Sequence, residues 1–414
     1  MTLPFRSMRS FCRLPVAAWS VLFVLLLAGC GTVPARHPVA QAPPAPLPGT
    51  VVEPLPAPPG PATPVPATGT PSAAVLLPLS GANAPLGRGM LDAAQMALFD
   101  IKGSRLTLLP HDTGGTPEGA ATAARETLDQ GASIVIGPLT AGEVQAVQPV
   151  AAERSVPILA FSTAAGLAGN GTYLFGFLPD EEVRRVVAVA HEKGVQRIAF
   201  LGPSTAYGHL IADSLKNAVT EQKIDLGPVI FFDPATPQPL DAVRRLGSAG
   251  ADGKIQLDGD ALMLPMGGAQ LKSVTQLLQT NGIDAAHAHF LGTGLWDDPT
   301  LAGEPTLQGG WYAAPDPSGR ADFERRFRSL YGYAPPRLSS LAYDATALAA
   351  VLSAAPSGAD FSTTALLNPN GFLGVDGIFR LREDGRGERG LAVLEFHGTG
   401  VTVVSPAPQT FGTT

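Results

Sequence analysis

The sequence predicts a two-lobe α/β protein in which each lobe is a doubly wound, mainly parallel sheet and the chain ends in antiparallel strands. From residue 73 onward, short runs rich in Val, Ile and Leu alternate with amphipathic helical stretches. Such runs are typical of parallel strands that helices cover on both faces. The alternation occurs in two successive series. With right-handed crossovers between its strands, each series would form its own doubly wound sheet. Towards the end of the chain apolar residues recur at every second position, which indicates antiparallel strands.

Lobe 1 is predicted to comprise about residues 73–178 and about residues 305–355. Its predicted strands are 73–79, 106–111, 132–137 and 157–161, and its first helices are 87–101, 116–130 and 142–153. Helical periodicity predicts two more helices, over 320–331 and 339–354. A short apolar segment after Gly309 precedes them, and we expect it to return the chain to this lobe.

Lobe 2 is predicted over about residues 179–304 and about residues 356–405. Its predicted helices are 180–192 and 207–222, and its predicted strands are 197–202, 229–232, 261–264 and 288–292. Two further apolar runs, 377–382 and 391–396, flank the turn dipeptide Asp384-Gly385, and we expect them to pair as an antiparallel hairpin. Residues 406–414 are predicted to form a tail.

The first thirty residues resemble an export signal that ends in a lipidation site. Three arginines precede an apolar run over 16–28, which is shorter than the roughly 20 residues that a membrane span needs. The run ends in Leu-Ala-Gly-Cys, which resembles the lipobox of bacterial lipoproteins. The resemblance implies removal of residues 1–29 and a lipid on Cys30. Because Gly31 rather than Asp follows, it also implies the periplasmic side of the outer membrane, with the inner membrane as the alternative.

Residues 31–72 differ in composition from the rest of the chain. Fourteen of these 42 positions are Pro and few are charged, so the segment favours polyproline II and builds no core. At about 3.1 Å per residue it would reach on the order of 130 Å when extended. We predict a spacer, and the alternative is a tether whose length lets the domain work across the wall layer.

Composition and motifs argue against several classes of function. A formal charge of −7 with only six lysines and no basic run does not suit nucleic-acid binding. The sequence has no Ser-x-x-Lys motif, no phosphate-binding loop and no Gly-x-Ser-x-Gly elbow, so we do not expect an enzyme. The only close histidine pair, His287 and His289, has no companion cysteine or carboxylate at ligand spacing. We therefore expect neither a metal nor a cofactor.

Three stretches resemble the leucine/isoleucine/valine-binding proteins of the type I periplasmic-binding superfamily. They are residues 76–100 (LLPLSGANAPLGRGMLDAAQMALFD), 134–147 (IVIGPLTAGEVQAV) and 157–163 (PILAFST). The resemblance implies the two-lobe periplasmic-binding fold. Within that superfamily, residues 292–299 (GTGLWDDP) and 374–396 (GVDGIFRLREDGRGERGLAVLEF) are similar to the lipoprotein group called penicillin-binding-protein activators. The best-known activators carry a helical-repeat domain where this chain has its Pro-rich segment, and this departure puts the partner in doubt.

Polar loops follow three predicted strands of lobe 1, at the carboxyl ends where small ligands bind in open α/β sheets. The hydroxyls and backbone N–H groups of these loops stand just before helices and suit a carboxylate. In amino-acid-binding relatives, loops at matching positions hold the α-carboxylate of the ligand. Helix N-capping is the alternative role of each residue. The predicted ligand-binding residues are Ser80, Thr140, Ser162 and Thr163.

Lobe 2 is predicted to supply Asp180, Tyr207, Met266 and Trp296. Asp180 either pairs with a ligand ammonium group or only begins its helix. Tyr207 either stacks on the ligand or donates a hydrogen bond to it. Met266 belongs to the Met266-Gly267 turn, which we expect lobe 2 to supply to the site. Trp296 either packs under a crossing strand or presents a flat face to the cleft or to a partner protein.

Two functions from different classes follow. The first is a non-enzymatic regulator of peptidoglycan synthesis, which would contact a wall synthase and favour one of its conformations. The second is a substrate-binding lipoprotein that closes on a small amino acid or amide and delivers it to an ABC importer permease. The spacer and the predicted outer-membrane anchor favour the first function, and the three polar loops favour the second.

Overall fold

The computed structural model describes residues 53–54, 70–285, 287–356 and 358–411. The predicted signal peptide, Cys30 and almost all of the Pro-rich segment lie outside these residues, so lipidation and tethering stay predictions. The described part confirms the predicted class, because it contains two mainly parallel sheets with helices and a set of late antiparallel strands. Within the described ranges, none of the helices combines the length and the apolar character that a membrane crossing requires.

The first series of elements builds the parallel sheet of lobe 1. In chain order they are β1 (Glu53–Pro54), β2 (Ser72–Leu77), α1 (Ala84–Asp100), β3 (Thr107–Asp112), α2 (Pro117–Asp129), β4 (Ile134–Ile136), α3 (Ala141–Ala152), β5 (Ile158–Ala160) and β6 (Thr172–Leu174). The strands of the sheet lie in the order β3-β2-β4-β5-β6. All residues of β2 and β4 are buried, because helices cover both faces of the sheet.

The second series builds most of lobe 2. In chain order the elements are α4 (Pro179–Glu192), β7 (Arg197–Pro203), α5 (Ala206–Gln222), β8 (Asp225–Phe232), α6 (Leu240–Arg244), β9 (Gly247–Ala249), β10 (Ile255–Leu257), β11 (Ala261–Met263), α7 (Gly268–Thr280), β12 (His289–Gly292) and β13 (Trp311–Ala314). β9 and β10 form a separate antiparallel pair, which the sequence did not predict.

The last part of the chain returns to lobe 1 and then ends in lobe 2. Its elements are α8 (Pro317–Tyr331), α9 (Ser339–Ser353), α10 (Thr363–Leu366), β14 (Phe372–Gly374), β15 (Gly377–Leu381), β16 (Gly387–Arg389), β17 (Ala392–His397) and β18 (Gly400–Ser405). The sheet of lobe 2 has the order β18-β17-β13-β12-β11-β7-β8. β1, β14, β15 and β16 form a small antiparallel sheet. α8 and α9 pack into the core of lobe 1 through Phe323, Phe327 and Leu341.

The apolar segment after Gly309 does not return to lobe 1, which corrects the predicted boundary at residue 305. It forms β13, which pairs in parallel with β12 and antiparallel with β17 inside the sheet of lobe 2. All four residues of β13 are buried, so the strand is apolar on both faces. An apolar run of this kind indicates a central strand but does not reveal which of two sheets it joins.

The predicted hairpin of residues 377–382 and 391–396 does not form. β15 pairs with β14 and β16, and the Asp384-Gly385 turn joins β15 to β16. Phe372 and Phe379 bury their rings in the core of lobe 1, where Phe379 lies 4.9 Å from the ring centroid of Phe175. Residues up to Arg389 therefore belong with lobe 1, and only the segment from Leu391 onward joins lobe 2.

The described part of the predicted tail is packed against the domain. Arg185 of α4 donates hydrogen bonds to Ser405 Oγ at 2.8 Å and to the carbonyl of Pro406 at 2.9 Å. The guanidinium carbon of Arg380, on β15, lies 4.6 Å from the ring centroid of Phe411. Because Arg185 lies in lobe 2 and Arg380 in lobe 1, residues 406–411 run along the junction of the lobes.

Candidate ligand-binding site

The chain crosses between the lobes three times, through residues 175–178, residues 315–316 and Gly390. The first crossing leaves the carboxyl end of β6, and the second leaves the carboxyl end of β13. The carboxyl edges of both sheets therefore border the space between the lobes. In open α/β sheets this is the edge where ligands bind, and it is where the sequence predicted polar loops.

The first of those loops, at Ser80, is already filled by a carboxylate of the chain itself. Asp112, at the end of β3, accepts hydrogen bonds from the N–H groups of Leu79 at 2.8 Å, Ser80 at 3.1 Å and Gly114 at 2.8 Å. Burial raises the pKa of Asp112, but the hydrogen bonds from Ser80, Gly114 and Leu79 outweigh it, so the pKa lies below its usual range. The loop therefore holds an internal carboxylate, and a ligand contact of Ser80 stays a prediction.

Replacing Asp112 by Asn is expected to destabilise the chain by about 0.5–1 kcal/mol at pH 7, because three N–H groups lose a charged acceptor that solvent partly screens. A lowered pKa means that the contribution of Asp112 is present above its ordinary pKa and is lost as pH falls. Urea unfolding should therefore show a larger difference at pH 7 than at pH 3. Asp129→Asn, which removes an exposed partner of Arg154, serves as the control. Equal losses in both variants at pH 7 would contradict the assignment.

The second loop serves as a helix cap. Thr140 Oγ1 accepts the N–H of Glu143 at 3.4 Å, and Glu143 Oε2 accepts the N–H of Thr140 at 2.8 Å, which forms a capping box at the start of α3. The other carboxylate oxygen of Glu143 accepts the hydroxyl of Thr113 at 2.5 Å. Thr140 therefore takes the capping role that the sequence left as the alternative.

The third loop remains open to a ligand. Ser162 Oγ accepts the N–H of Ala164 at 3.2 Å, which closes a tight turn after β5. Among the hydrogen bonds of the described residues, none uses the backbone N–H groups of Ser162 or Thr163. Ser162 is buried and Thr163 is exposed. The side chain of Ser162 therefore packs inside lobe 1, and that of Thr163 lies at its surface. The backbone N–H groups of this turn are therefore free to donate to a ligand at the carboxyl edge.

On the side of lobe 2, Asp180 is already paired with cations. It lies in the first turn of α4 and forms an ion pair with Arg386, which follows the Asp384-Gly385 turn of lobe 1. Arg184, one turn further along α4, lies 4.0 Å from the same carboxylate. The predicted role of Asp180 as a partner for a ligand ammonium group therefore competes with an ion pair across the lobes.

Tyr207 and a buried glutamate stand together at the carboxyl ends of β7 and β12. Tyr207 is half-buried and donates its hydroxyl to Thr293 Oγ1 at 2.8 Å. Glu182, which is 7% exposed, accepts the N–H of Gly294 at 2.8 Å. Burial raises the pKa of Glu182 to about 8, although the hydrogen bond from Gly294 opposes the shift. No sequence pattern singles this residue out, because it is one of three acids in the first turn of a helix.

Trp296 and Met266 belong to the core, which corrects their prediction as ligand contacts through their side chains. Trp296 is fully buried, stacks on Phe396 at 5.8 Å between centroids, and donates its indole N–H to the carbonyl of Met266 at 3.0 Å. Met266 is 2% exposed. Packing under a strand, which the sequence left as the alternative for Trp296, is what the structure shows.

A cluster of charged residues that the sequence did not predict links the lobes near the crossings. Asp297, in the loop after β12, accepts a hydrogen bond from Arg337 Nε at 2.8 Å and lies 3.4 Å from Arg320 Nη1. Arg337 also lies 3.5 Å from the fully buried Asp376. Burial lowers the pKa of Arg337, but Asp376 and Asp297 outweigh it and raise the pKa. Asp297 and Asp376 come from the two stretches that resemble activators, and the structure brings them together on one guanidinium.

A cavity of about 600 Å³ lies at the opposite end of lobe 2, at the amino ends of its strands. Arg197, Asp260 and His287 are among its lining residues. His287 Nδ1 lies 2.6 Å from Asp284, and His289 stacks on Trp311 with centroids 4.5 Å apart. Within the described ranges, no three His, Cys, Asp or Glu side chains are arranged to hold a metal ion.

Residues 71–400 match the family described as "Periplasmic binding protein". The chain belongs to this family. It is 27% identical over 208 residues to Leu/Ile/Val-binding protein homolog 3 of Brucella melitensis, covering 43% of this chain and 51% of that protein. In the curated relatives that it matches, the chain spans about half of their length. These relationships show the periplasmic-binding superfamily that the sequence predicted.

Solved structures share the fold of this periplasmic binding protein. A Rhodospirillum rubrum protein assigned to branched-chain amino acid ABC transport superposes with a TM-score of 0.71 at 20% identity, covering 81% of this chain and all of that chain. The branched-chain amino acid substrate-binding protein of Streptococcus pneumoniae, solved with isoleucine, gives a TM-score of 0.57 at 20% identity. That match covers 82% of this chain and all of the other. At these identities the likeness concerns the fold alone.

Proposed function

We propose that this chain is a receptor that closes its two lobes on a small solute carrying a carboxylate and delivers the solute to an ABC importer. The observation that carries the proposal is the turn at Ser162 and Thr163. Its two backbone N–H groups make no hydrogen bond among the described residues, and they lie at the carboxyl edge of lobe 1 beside the crossings. Backbone N–H groups that precede a helical turn are suited to hold a carboxylate.

The two neighbouring loops support this assignment, because each already donates backbone N–H groups to a carboxylate of the chain. Asp112 fills the N–H groups of the Ser80 loop, and Glu143 fills that of Thr140. Loops at this edge therefore bind carboxylates, and the backbone N–H groups of Ser162 and Thr163 make no hydrogen bond among the described residues. The relatives named above are called binding or transport proteins for branched-chain amino acids, which favours import over wall regulation.

The test is a binding screen on the purified chain with aliphatic amino acids and other small carboxylates. A ligand that binds only the folded state stabilises it by about 2.7 kcal/mol at a hundredfold excess over Kd. Thermal shift finds the ligand, and isothermal titration calorimetry gives its Kd. Replacing the exposed Thr163 by Asp should weaken that binding at least tenfold, because the new carboxylate would stand beside the free N–H groups and repel an anionic ligand.

Thr107→Asp is the matched control, because Thr107 is also exposed but begins β3 at the opposite end of the same sheet. It should leave the Kd unchanged. If no carboxylate in the screen binds the folded chain, or if Thr163→Asp binds as tightly as the parent, the receptor proposal is wrong.

The hypothesis of a peptidoglycan-synthesis regulator stays a prediction. It rests on the resemblance of residues 292–299 and 374–396 to activators. Within those stretches Trp296 is buried, and Asp297 and Asp376 contact Arg337. These side chains therefore make contacts within the domain. The lipid anchor at Cys30 and the outer-membrane location also remain predictions.

A further inference from the structure

After its three crossings the chain contacts both lobes once more, through residues 406–411. β18 ends at Ser405 in lobe 2, and the residues that follow extend to the small antiparallel sheet that contains β14, β15 and β16. That sheet belongs with lobe 1, because the rings of Phe372 and Phe379 lie in the core of this lobe. We call residues 406–411 the tail segment.

One end of the tail segment is held by lobe 2. Arg185 Nη2, on α4, donates hydrogen bonds to Ser405 Oγ at 2.8 Å and to the carbonyl of Pro406 at 2.9 Å. Arg185 Nε donates to the carbonyl of Leu391 at 2.8 Å, so one guanidinium holds the tail segment next to the start of β17. Ala407 is 7% exposed and packs in the core of lobe 2. Hydrogen bonds and apolar packing together stabilise this end.

The other end of the tail segment is held by lobe 1. The ring centroid of Phe411 lies 4.6 Å from the guanidinium carbon of Arg380, which gives a cation–π contact. Glu388 Oε2 accepts the Nε–H of Arg380 at 2.8 Å and so keeps the guanidinium in place. A Cβ added to Gly371 would lie 2.8 Å from the ring of Phe411, so the ring packs directly on this glycine. Phe411 is therefore the residue that joins the tail segment to lobe 1.

Between its two ends the tail segment passes the third crossing. A Cβ added to Gly390 would lie 3.0 Å from the carbonyl oxygen of Pro408 and 3.3 Å from its Cγ, so the two residues are in close contact. Pro406 and Pro408 have fixed φ angles, so the unpacked segment has few conformations and loses less entropy when it packs. A rotation of the lobes changes the distance between Arg185 and Arg380, and the stiff segment between them adapts poorly to such a change.

The lobes do not pack tightly against each other beside the tail segment. A cavity of about 280 Å³ lies there, and its lining includes Pro408 and Phe411 of the tail segment, Arg184 and Arg185 of α4, and Glu388 of β16. Close packing of side chains therefore does not resist rotation of the lobes at this point, whereas the contacts of the tail segment do.

We propose that the tail segment restrains the hinge between the lobes and stabilises their observed arrangement. Its contacts with both lobes form together only in this arrangement, and contacts of this kind favour the state in which they form. When the contact with lobe 1 is lost, the three crossings and both cores remain, so the lobes rotate more freely without unfolding. The inference goes beyond the proposed function, because it does not depend on which solute binds in the cleft.

The test measures the distance between the lobes by double electron–electron resonance on the full chain. Spin labels are attached to cysteines placed at the exposed Asn83, just before α1 in lobe 1, and the exposed Ser204, just after β7 in lobe 2. The two cysteines of the chain, Cys12 and Cys30, are replaced by Ser so that only the new ones react. In Phe411→Ala, the fraction of molecules outside the main distance peak of the parent should rise by about threefold or more, because the cation–π contact is lost.

Phe99→Ala is the matched control, because Phe99 lies on α1 of the same lobe and is 84% exposed. It should leave the distance distribution unchanged. A chain that ends at Pro408 keeps the contacts of Arg185 but lacks Phe411, and it should behave as Phe411→Ala does. If either tail variant keeps the distribution of the parent, or if Phe99→Ala broadens it as much, the proposed restraint is wrong. The receptor proposal is unaffected by that result, because no ligand takes part in the measurement.

Discussion

Replacing Arg337 by Met is expected to destabilise the folded chain by about 3–5 kcal/mol, the usual loss when one partner of a buried ion pair is removed. Arg337 joins Asp297 of lobe 2 to Asp376 of lobe 1, at 2.8 and 3.5 Å. Asp376 is fully buried, and neither of its carboxylate oxygens has a hydrogen-bond donor among the described residues. Without the guanidinium, this carboxylate would stay buried with its nearest ion-pair partner removed.

Urea unfolding of the full chain at pH 7 measures this loss. Arg325→Met is the matched control, because Arg325 lies on the same lobe and its pair with Asp322, at 2.5 Å, is about half exposed on both sides. Exposed pairs of this kind contribute about 0–1 kcal/mol. Similar losses in the two variants would show that the Arg337 cluster contributes no more than a surface ion pair.

The Arg337 cluster also bears on hinge motion. Asp297 and Arg337 belong to different lobes, as do Asp180 and Arg386, and both pairs lie near the crossings. Ion pairs that join the lobes favour the arrangement in which they form. A ligand that changes the angle between the lobes must offset any of these contacts that it breaks, so the cluster sets part of the free energy of closure.

The sequence predicted the fold well where each element carries its own periodic signal. β2 and β7 lie within two residues of the apolar runs that predicted them. α1, α4 and α5 begin within three residues of their predicted starts. The assignment of β13 and of the late strands was wrong for one reason. Apolar runs such as 311–314 report burial, whereas sheet membership depends on partners that are distant in sequence, here β12 and β17.

The candidate site was less predictable because its chemistry depends on which donors the fold leaves free. Ser80, Thr140 and Ser162 looked equivalent in sequence. Only the structure shows that Asp112, at the end of a neighbouring strand, fills the first loop. Glu143 could have been found, because a threonine followed three residues later by glutamate is the pattern of a capping box. No local pattern connects Asp297 with Arg337 and Asp376.

The stability of the chain is expected to fall as pH rises towards about 8, and Glu182 is the residue we hold responsible. Burial raises the pKa of Glu182 from its ordinary 4.5 to about 8. Between these values the folded state keeps a proton that the unfolded state has released. Raising the pH in this window therefore favours unfolding, and the effect is complete once pH exceeds the folded-state value.

Glu182→Gln isolates this effect, because Gln keeps an oxygen for the N–H of Gly294 but does not titrate. Near pH 5 the variant and the parent should be about equally stable, since both carry a neutral side chain in the folded state. At pH 9 the variant should be more stable than the parent by about 2–4 kcal/mol. Each unit of pKa shift corresponds to about 1.4 kcal/mol of folding free energy, and local relaxation around the charged carboxylate recovers part of that total. Urea unfolding at pH 5, 7 and 9 measures the two profiles. Parallel profiles would mean that Glu182 ionises in the folded chain as it does in water, and that the cleft admits solvent to it.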